Sequence, residues 1–425
     1  MIKLYFKQAF HLLKENKLLS SISIIGTALA IAMIMVIVIT LRATIAPFAP
    51  ESYRDRMLIF RYAGFQYKTN ENWQSNGPVS YKTAKACFKE MAAPEAVTIT
   101  SSFSETMLAA KPAGEKVSCS VLQVDDDFWK VFKFDFLSGY PFDKATFDAG
   151  ATKAVISEDI ARQLFGTSDV VGKTFLLNHS AYMICGVVRP VSKLARYAYA
   201  QIWIPLSSTD AFTASWGEYG IMGMVSVYIL AKSQDDFPAI RMEAERLRDR
   251  YMEGYPDYEL LYRDQPDTYF VAAQRYSANN PPAVRQYIIT LIILLIVPAV
   301  NLSGLTLSRM RKRLSEIGVR KAFGAPRREL MIQVLSENML YSLLGGVLGL
   351  ILSYGATFFL GSMLFSIDFM GNGVTDLRTM CMDLLFDPVV FLLAFFACFA
   401  LNLLSAAIPA WRVTRTNIVD AINER

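Results

Sequence analysis

Four stretches of the chain carry no charged side chain, and each is long enough to cross a membrane as a helix. They are Leu18–Leu41, Gln286–Ser308, Asn338–Ile367 and Pro388–Trp411. A helix needs about 20 apolar residues to cross roughly 30 Å of hydrocarbon. The alternative for the first stretch is a secretory signal, but its apolar run exceeds the usual length of about 7–15 residues and no small-x-small cleavage site closes it. We therefore expect a membrane protein with four transmembrane α-helices.

The segments between these stretches differ in charge, and this difference predicts their orientation. Residues 1–17, 309–337 and 412–425 together carry fifteen Lys and Arg against six Asp and Glu, whereas residues 42–285 and the loop 368–387 are each net negative. Because basic loops are retained in the cytoplasm, both termini are expected there. Residues 42–285 are then one large extracytoplasmic domain between helices 1 and 2. The net charge of +5 follows from this topology and does not indicate nucleic-acid binding.

The first 17 residues have the pattern of a cytoplasmic amphipathic helix. At 100° per residue, Lys3, Lys7, Lys14 and Lys17 fall within an arc of about 80°. Such a helix would lie on anionic headgroups of the membrane lipids. A simple positive flank for the first span is an equally good interpretation.

The external segment alternates helix-like and strand-like patterns, which is typical of an α+β domain. Helices are expected at 81–91, 158–165 and 236–251, and strands at 117–124, 154–157, 173–178, 181–188, 201–206 and 224–231, with a hairpin around His179 and Ser180. Residues 166–174 resemble a phosphate-binding loop, but five residues separate Gly166 from Gly172 where that loop needs four. We expect a turn that leads into the next strand.

Other candidate sites in the external segment have simpler explanations. Asp125, Asp126 and Asp127 are expected at a turn or helix start rather than at a cation, because consecutive carboxylates on an extended chain do not converge. The two histidines, His11 and His179, fall on opposite sides of the membrane and cannot form a catalytic pair. We therefore expect no catalytic, cofactor or metal site in this chain.

The five cysteines are scattered along the chain. Their spacing matches no metal site. A disulfide between two of Cys87, Cys119 and Cys185 is an alternative, but we expect all five, including Cys381 and Cys398, to be small core residues.

Two pairs of small residues recur at a spacing of four within the predicted spans. Gly26 and Ala30 form one pair, and Gly345 and Gly349 form the other. This spacing allows helices to approach closely, either within one chain or across a dimer. The spans contain no ionisable residue, so a proton or ion path is not expected.

The most informative loop is the basic segment 309–330, RMRKRLSEIGVRKAFGAPRREL. Glu316 suits the start of a helix and lies four residues before Arg320, a favourable pair on one helical face. Gly324 can adopt the positive φ that ends a helix, and Pro326 suits the first position of the next helix. The segment predicts two short helices joined by an elbow, a shape that suits docking of a partner.

Five blocks of sequence, together with the layout of the whole chain, resemble the MacB/FtsX-like permeases of ABC transporters, the type VII class that acts by mechanotransmission. Residues 121–142 and 153–206 are similar to the family's periplasmic core domain. Residues 313–330 and 337–350 are similar to its signature loop and third span, and 408–424 to its usual ending.

This resemblance implies that the chain is not an enzyme. The signature loop would be a coupling helix that docks on a separate ABC ATPase, and ATP and Mg would bind to that ATPase. The residues that the resemblance assigns to coupling are Glu316, Ile317, Gly318, Arg320, Lys321, Gly324 and Ala325. A β-rich part of the external domain is expected at about 141–206. Many relatives carry eight spans, so a chain with four is expected to pair with a second permease copy, most simply as a homodimer.

The resemblance also suggests a function in the bacterial inner membrane. The permease would drive export or extraction of a periplasmic substrate, such as an antibiotic or a peptide, with a periplasmic adaptor and an outer-membrane channel as further partners. Activation of a cell-wall hydrolase, as in the division branch of the family, is one alternative. Release of lipoproteins is another.

Overall fold

The structure is a computed structural model that describes residues 17–275 apart from 112, 113 and 115, residues 282–290 and 326–365, and single positions elsewhere. The chain divides into two compact units. One contains residues up to Arg42 and from Gln286 to Ile367, and the other contains Ala43–Arg285. The second unit coincides closely with the expected external domain at 42–285.

Two long apolar helices belong to the first unit. Helix α1 spans Lys17–Ile45, and helix α8 spans Arg327–Phe365. Their windows Ser20–Ile45 and Met339–Ala356 are long and apolar enough to cross a membrane. These two helices contain the first and third expected spans, although α8 ends two residues before Ile367. The second and fourth expected spans, the segment 1–16 and the loop 368–387 lie mostly or wholly outside the described residues.

The external unit is a mixed α+β domain. Its strands are β1 Met57–Phe60, β2 Ala63–Tyr67, β3 Asn70–Gly77, β4 Ala96–Ser101, β5 Glu105–Ala110, β6 Lys116–Val124, β7 Phe136–Gly139, β8 Lys153–Ser157, β9 Thr174–Leu177, β10 Ser180–Val188, β11 Ile202–Pro205, β12 Ser215–Trp216, β13 Met222–Gly223, β14 Val225–Leu230, β15 Tyr258–Leu261 and β16 Asp267–Thr268. Its helices are α2 Tyr81–Ala84 with a π-helical turn Lys85–Lys89, α3 Phe128–Val131, α4 Lys144–Asp148, α5 Glu158–Phe165, α6 Phe237–Met252 and α7 Tyr269–Ala273.

Six strands of this unit close into a small barrel. Their order is β11-β8-β10-β9-β5-β6, and β6 pairs in parallel with β11 to complete the ring. Apolar side chains such as Val121, Phe175 and Ile202 are fully buried in the barrel core. The β-rich part therefore extends beyond the expected range of about 141–206, because β5 and β6 from an earlier part of the chain contribute two of its walls.

The same sheet continues beyond the barrel from β6 through β4, β14, β1 and β16. The sequence of β1 is four consecutive apolar residues, and all four are buried. Because strand side chains alternate, Met57 and Ile59 pack into one core cluster while Leu58 and Phe60 pack into another. Strand β1 is therefore covered on both faces, although it is the second strand from one end of the sheet.

Most expected elements of the external domain are present within two residues of their predicted ends. The hairpin turn falls at Asn178 and His179, with φ of +44° and +74°, which is one residue earlier than expected. Gly166 ends α5 with φ +75°, and the segment that follows it leads into β9 as a turn. Cys87 and Cys119 are buried, Cys185 is half-buried, and all three are free thiols, which agrees with the role of core residues.

Candidate functional site

The close contact of α1 with α8 depends on two glycines of α8. A Cβ atom added at Gly345 would lie 2.8 Å from the Cβ of Thr27, and one added at Gly349 would lie 2.7 Å from the carbonyl oxygen of Ala28. Real Cβ contacts are not this short, so only glycine lets the two helices approach to this distance. The spacing of Gly345 and Gly349 allows a contact within one chain or across a dimer, and the structure contains a contact within one chain.

The other small pair lies on α1 beside the same contact. Ala30 is buried and Gly26 is half-buried. Six residues before Gly26 on α1, the hydroxyl group of Ser20 lies 3.3 Å from that of Tyr341, and the two form a buried hydrogen bond between the helices. The α1–α8 contact thus combines close backbone packing with one polar interaction.

The coupling segment is described at few positions. Gly324 has φ +86°, and the Phe323 N–H donates to the carbonyl oxygen of Val319 over 3.1 Å. Pro326 precedes the first helical residue of α8 rather than occupying it, and its carbonyl oxygen accepts from the Glu329 N–H. The remaining residues assigned to coupling lie outside the described residues: Glu316, Ile317, Gly318, Arg320, Lys321 and Ala325.

A buried arginine caps the end of α1 where it enters the external unit. Helix C-termini leave backbone carbonyls without helical partners, and a cation there is favourable. The Nη1 of Arg54 donates to the carbonyl oxygens of Ala43 at 2.9 Å, Thr44 at 3.4 Å and Ala46 at 3.1 Å. The Arg54 side chain is 1% exposed. The last turn of α1 is therefore held inside the external unit by a charged group.

Glu51 compensates the charge of Arg54 and is itself fully buried. Its Oε2 accepts from Arg54 Nε at 2.8 Å and from the hydroxyl of Tyr269 at 2.6 Å. Its Oε1 accepts from the backbone N–H groups of Tyr197 at 2.7 Å and Ala198 at 3.0 Å. Four donors therefore satisfy this carboxylate, which a buried charge requires.

A second buried pair lies where the chain leaves the external unit. Arg275 donates from Nε and Nη2 to the two carboxylate oxygens of Asp267, at 2.5 and 3.0 Å, in a bidentate arrangement. Its Nη2 also donates to the carbonyl oxygen of Arg263. The Ala283 N–H donates to the carbonyl oxygen of Gln274 over 2.9 Å. This contact ties the chain just before the second predicted span.

A third charged cluster lies within the domain. Lys89 contacts Asp125 at 2.6 Å and Asp127 at 2.9 Å, and Asp125 also accepts from Thr98 and from the Ile99 N–H. Burial would lower the pKa of Lys89, but the two carboxylates raise it overall. Burial raises the pKa of Asp125, against the opposing effect of Lys89.

The run of three aspartates does precede a helix, as expected, because α3 begins at Phe128. The expectation that its carboxylates do not converge is wrong for Asp125 and Asp127. The chain is not extended here but turns at Asp126 and Asp127, and the carboxylates of Asp125 and Asp127 both reach Lys89. The Asp127 side chain does not cap α3 and instead pairs with Lys89 and Lys130.

Sequence reasoning missed all three buried clusters. Glu51 and Arg54 are only three residues apart, yet the other groups that bind Glu51 lie near residues 197 and 269. The sequence offered one signal for the first cluster, because Glu51 and Arg54 carry opposite charges and lie close to the end of the first predicted span. Within the described part of the chain, no group of three or more His, Cys, Asp and Glu residues is placed to hold a metal ion.

Comparison with known proteins gives matches over both halves of the chain. The model of the MacB-like periplasmic core domain matches residues 20–247, and that of the FtsX-like permease C-terminal region matches residues 288–418. An uncharacterized ABC transporter permease, YknZ of Bacillus subtilis (strain 168), is 26% identical over 259 residues, which are 60% of this chain and 62% of YknZ. The macrolide export ATP-binding/permease protein MacB 1 of Yersinia pestis bv. Antiqua (strain Antiqua) is 24% identical over 321 residues, 72% of this chain and 43% of MacB 1.

Among solved structures, the extracellular domain of the YknZ transporter from Gram-positive bacteria matches with a TM-score of 0.33 and 17% identity, covering 47% of this chain and 99% of that domain. The chain spans less than two thirds of the length of the two curated relatives.

Two long apolar helices, with an α+β unit between them in the sequence, are what a membrane protein with a large external domain requires. The two family matches define it further. The chain belongs to the MacB/FtsX family of ABC transporter permeases. The first of these family models describes a periplasmic core domain and the second the C-terminal region of a permease.

Proposed function

We propose that this permease converts ATP-driven closure of a separate ATPase into movement of its periplasmic domain. In this function the chain binds neither ATP nor Mg itself. It acts as a homodimer, with the coupling segment 309–337 docked on the ATPase in the cytoplasm. The movement drives export or extraction of a periplasmic substrate, and no path through the spans is required.

One observation carries this proposal. Helix α1 is continuous from Lys17 to Ile45, so the same helix contains the apolar window and ends inside the external unit. Helices are stiff over this length, about 44 Å at 1.5 Å per residue. We therefore expect a displacement of the membrane segment to be carried along this helix.

The geometry at Gly324 supports the position of the coupling segment. A left-handed residue three positions before the start of α8 turns the chain sharply, which is the elbow that a docking segment needs. Helix α8 then runs for 39 residues, so a force applied at this elbow acts on a single rigid element.

The test is co-purification of the ATPase with the full-length permease. Exchanging the charges of the coupling pair, by Glu316→Arg with Arg320→Glu, is expected to abolish co-purification because the docking contacts become repulsive. The matched control exchanges an ion pair of the same spacing in the external unit, Glu158→Arg with Arg162→Glu, which is exposed and 2.7 Å apart. Full recovery of the ATPase with the Glu316 and Arg320 variant would refute the coupling assignment.

The substrate and the remaining partners form a separate part of the proposal. The name of MacB 1 includes macrolide export, and this supports export of an antibiotic or a similar compound. The full permease is expected to capture a periplasmic adaptor and, through it, an outer-membrane channel. Capture of a cell-wall hydrolase instead would favour the regulatory alternative, and capture of a lipoprotein would favour lipoprotein release.

A further inference from the structure

The external unit contains a group of exposed basic side chains close to the end of α1. The apolar window of α1 ends at Ile45, and the external unit begins at Ala43, so the unit includes the last residues of this window. Since an apolar helix of this length crosses the hydrocarbon, we expect Ile45 at the boundary between hydrocarbon and lipid headgroups. Residues of the external unit that are bound close to Ile45 are then close to the headgroups.

The segment 189–196 is bound to the end of α1 by one side chain. The Nη1 of Arg54 donates to the carbonyl oxygen of Ala43 in the last turn of α1. Its Nη2 donates to the carbonyl oxygen of Leu194. Because one planar guanidinium binds both oxygens, Leu194 lies within a few ångströms of the helix end. The sequence of this segment, RPVSKLAR, contains three basic residues and no acidic residue.

Backbone hydrogen bonds hold two basic residues near the same part of the chain. The Lys133 N–H donates to the carbonyl oxygen of Pro50 at 2.8 Å, and Pro50 follows Ile45 by only five residues. The Arg189 N–H donates to the carbonyl oxygen of Asp135 at 3.0 Å, which brings it beside Lys133. The side chains of Lys133 and Arg189 are both exposed.

Basic residues also accompany the chain where it leaves the external unit. The Nη1 of Arg196 donates to the carbonyl oxygen of Ala273, at the end of α7. The next residue, Gln274, accepts from the Ala283 N–H. Arg285 follows directly before the second predicted span, and both Arg196 and Arg285 are exposed. The basic residues therefore lie near both passages of the chain toward the membrane.

We call five of these residues the basic collar: Lys133, Arg189, Lys193, Arg196 and Arg285. In the described segments 43–56, 131–136, 189–200 and 282–285, the exposed acidic side chains are those of Asp55 and Asp135. Glu51 is fully buried and paired with Arg54. The collar therefore carries an excess of positive charge, although residues 42–285 as a whole are net negative.

This charge matches the phosphate groups of anionic lipids. A Lys or Arg close to an anionic membrane strengthens association about fivefold, and the attraction extends over a Debye length of about 8 Å at physiological salt. Long basic side chains can follow phosphates that move within a fluid layer. The Nζ of Lys193 lies 6.0 Å from the centroid of the half-buried Tyr199 ring, and tyrosine is a common residue at the level of the headgroups.

We propose that the basic collar binds the phosphate groups of anionic glycerophospholipids at the outer surface of the membrane. Binding of this kind goes beyond the proposed function, since it requires neither the ATPase nor a transported substrate. It requires only that α1 crosses the membrane and that the collar lies close to the end of its apolar window.

The experiment identifies the lipid next to the collar in the full-length permease. The protein is placed in nanodiscs that contain phosphatidylcholine and phosphatidylglycerol in equal amounts. A photoreactive benzoylphenylalanine replaces Pro190, which is exposed and lies between Arg189 and Lys193. After illumination, mass spectrometry identifies the lipid joined to residue 190. Phosphatidylglycerol is expected to be joined at least about fivefold more often than phosphatidylcholine.

Two variants with the same change in net charge test whether the collar causes this preference. One variant neutralises three exposed residues of the collar: Lys133→Gln, Arg189→Gln and Arg196→Gln. The matched control neutralises three exposed residues elsewhere on the external unit: Lys82→Gln, Lys116→Gln and Lys173→Gln. The first variant is expected to reduce the preference to less than about twofold, and the control is expected to keep it.

A salt series with the wild-type collar gives a test that does not depend on the folding of any variant. Raising the salt concentration shortens the Debye length, so the preference for phosphatidylglycerol is expected to fall. Excess soluble glycerophosphate at constant ionic strength is expected to have no effect, because it is not held at the membrane surface.

Four results would overturn the assignment of the collar to lipid. They are the absence of lipid at residue 190, a crosslink to a second copy of the permease in its place, a preference that neither neutralisation nor salt reduces, and loss of the preference in soluble glycerophosphate. The last result would assign the collar to a soluble anion. None of these results bears on coupling to the ATPase, which the co-purification test addresses separately.

Discussion

Replacing Lys89 by Met tests how the interior of the external domain tolerates charge. The substitution keeps most of the side-chain volume and removes the ammonium group. Asp125 is completely buried, and Lys89 is the cation that contacts it at 2.6 Å. Without Lys89, the carboxylate keeps its hydrogen bonds from Thr98 and Ile99 but has lost its counter-charge.

Two estimates of the loss of unfolding free energy in Lys89→Met agree. Removing one partner of a buried ion pair costs about 3–5 kcal/mol. The carboxyl can instead become neutral, and protonating a group with an unfolded pKa of about 3.9 at pH 7 costs about 4 kcal/mol, at 1.36 kcal/mol per pH unit. Since the domain adopts the cheaper form, Lys89→Met is expected to lose about 3–4 kcal/mol of unfolding free energy at pH 7.

The sign of the pH dependence follows from the pKa of Asp125. Burial raises this pKa in the folded state, and loss of Lys89 raises it further. A raised carboxyl pKa means that the folded state binds the proton more tightly, so the penalty grows as pH rises above the unfolded pKa. At pH 5 neutralising Asp125 costs about 1.5 kcal/mol, and the deficit of the variant is expected to shrink to that value.

The assay is urea unfolding of the full chain in detergent, followed by tryptophan fluorescence, at pH 7 and pH 5. Lys130→Met is the matched control, because Lys130 is 70% exposed and contacts only Asp127 of this cluster. It is expected to change the unfolding free energy by less than about 1 kcal/mol at both pH values. A Lys89→Met variant within about 1 kcal/mol of wild type at pH 7, or one with an equal deficit at both pH values, would refute the reasoning.

Two further predictions concern the helix contact and the buried thiols. Gly349→Ala is expected to lower the stability of the α1–α8 contact by about 1–3 kcal/mol, because the added Cβ would meet the Ala28 carbonyl. The measurement is thermal unfolding in detergent. Gly355→Ala is the control, since its Cβ would meet nothing within 4 Å, and it should not destabilise the protein. Burial raises the pKa of Cys87 and Cys185 to about 11 and that of Cys119 to about 12. Alkylation of these three thiols at pH 8 is therefore expected to be at least roughly a hundredfold slower in the native protein than in urea. Peptide mass spectrometry measures the rate at each cysteine. Fast labelling of Cys119 in the native protein would contradict its buried position.

The expectations from sequence succeeded where the signal is local. Helix α6 and the β9–β10 hairpin follow from periodicity and turn residues within a single window of sequence. The domain boundary predicted near residue 285 rests on a change in composition, since an uncharged run begins at Gln286. In each case the physical cause, amphipathic periodicity or hydrocarbon length, acts over neighbouring residues.

The expectations were incomplete where distant segments meet. Strands β5 and β6 join the barrel because β6 pairs with β11, some eighty residues later, and nothing in either strand alone indicates this partner. The aspartate run was expected to spread its charges, yet Lys89 from an earlier helix draws Asp125 and Asp127 together.

The long apolar segments and the resemblance to the family can be read from the sequence alone, and the sequence predicts the bounds of the external domain. Which charges are buried, and which groups each of them binds, becomes visible in the three-dimensional structure. Glu51 shows the reason, because a buried carboxylate must find its donors wherever the fold brings them, and here they come from residues 54, 197, 198 and 269. Hydrophobic length can be read along the chain, whereas satisfaction of a buried charge depends on the three-dimensional arrangement of segments far apart in sequence.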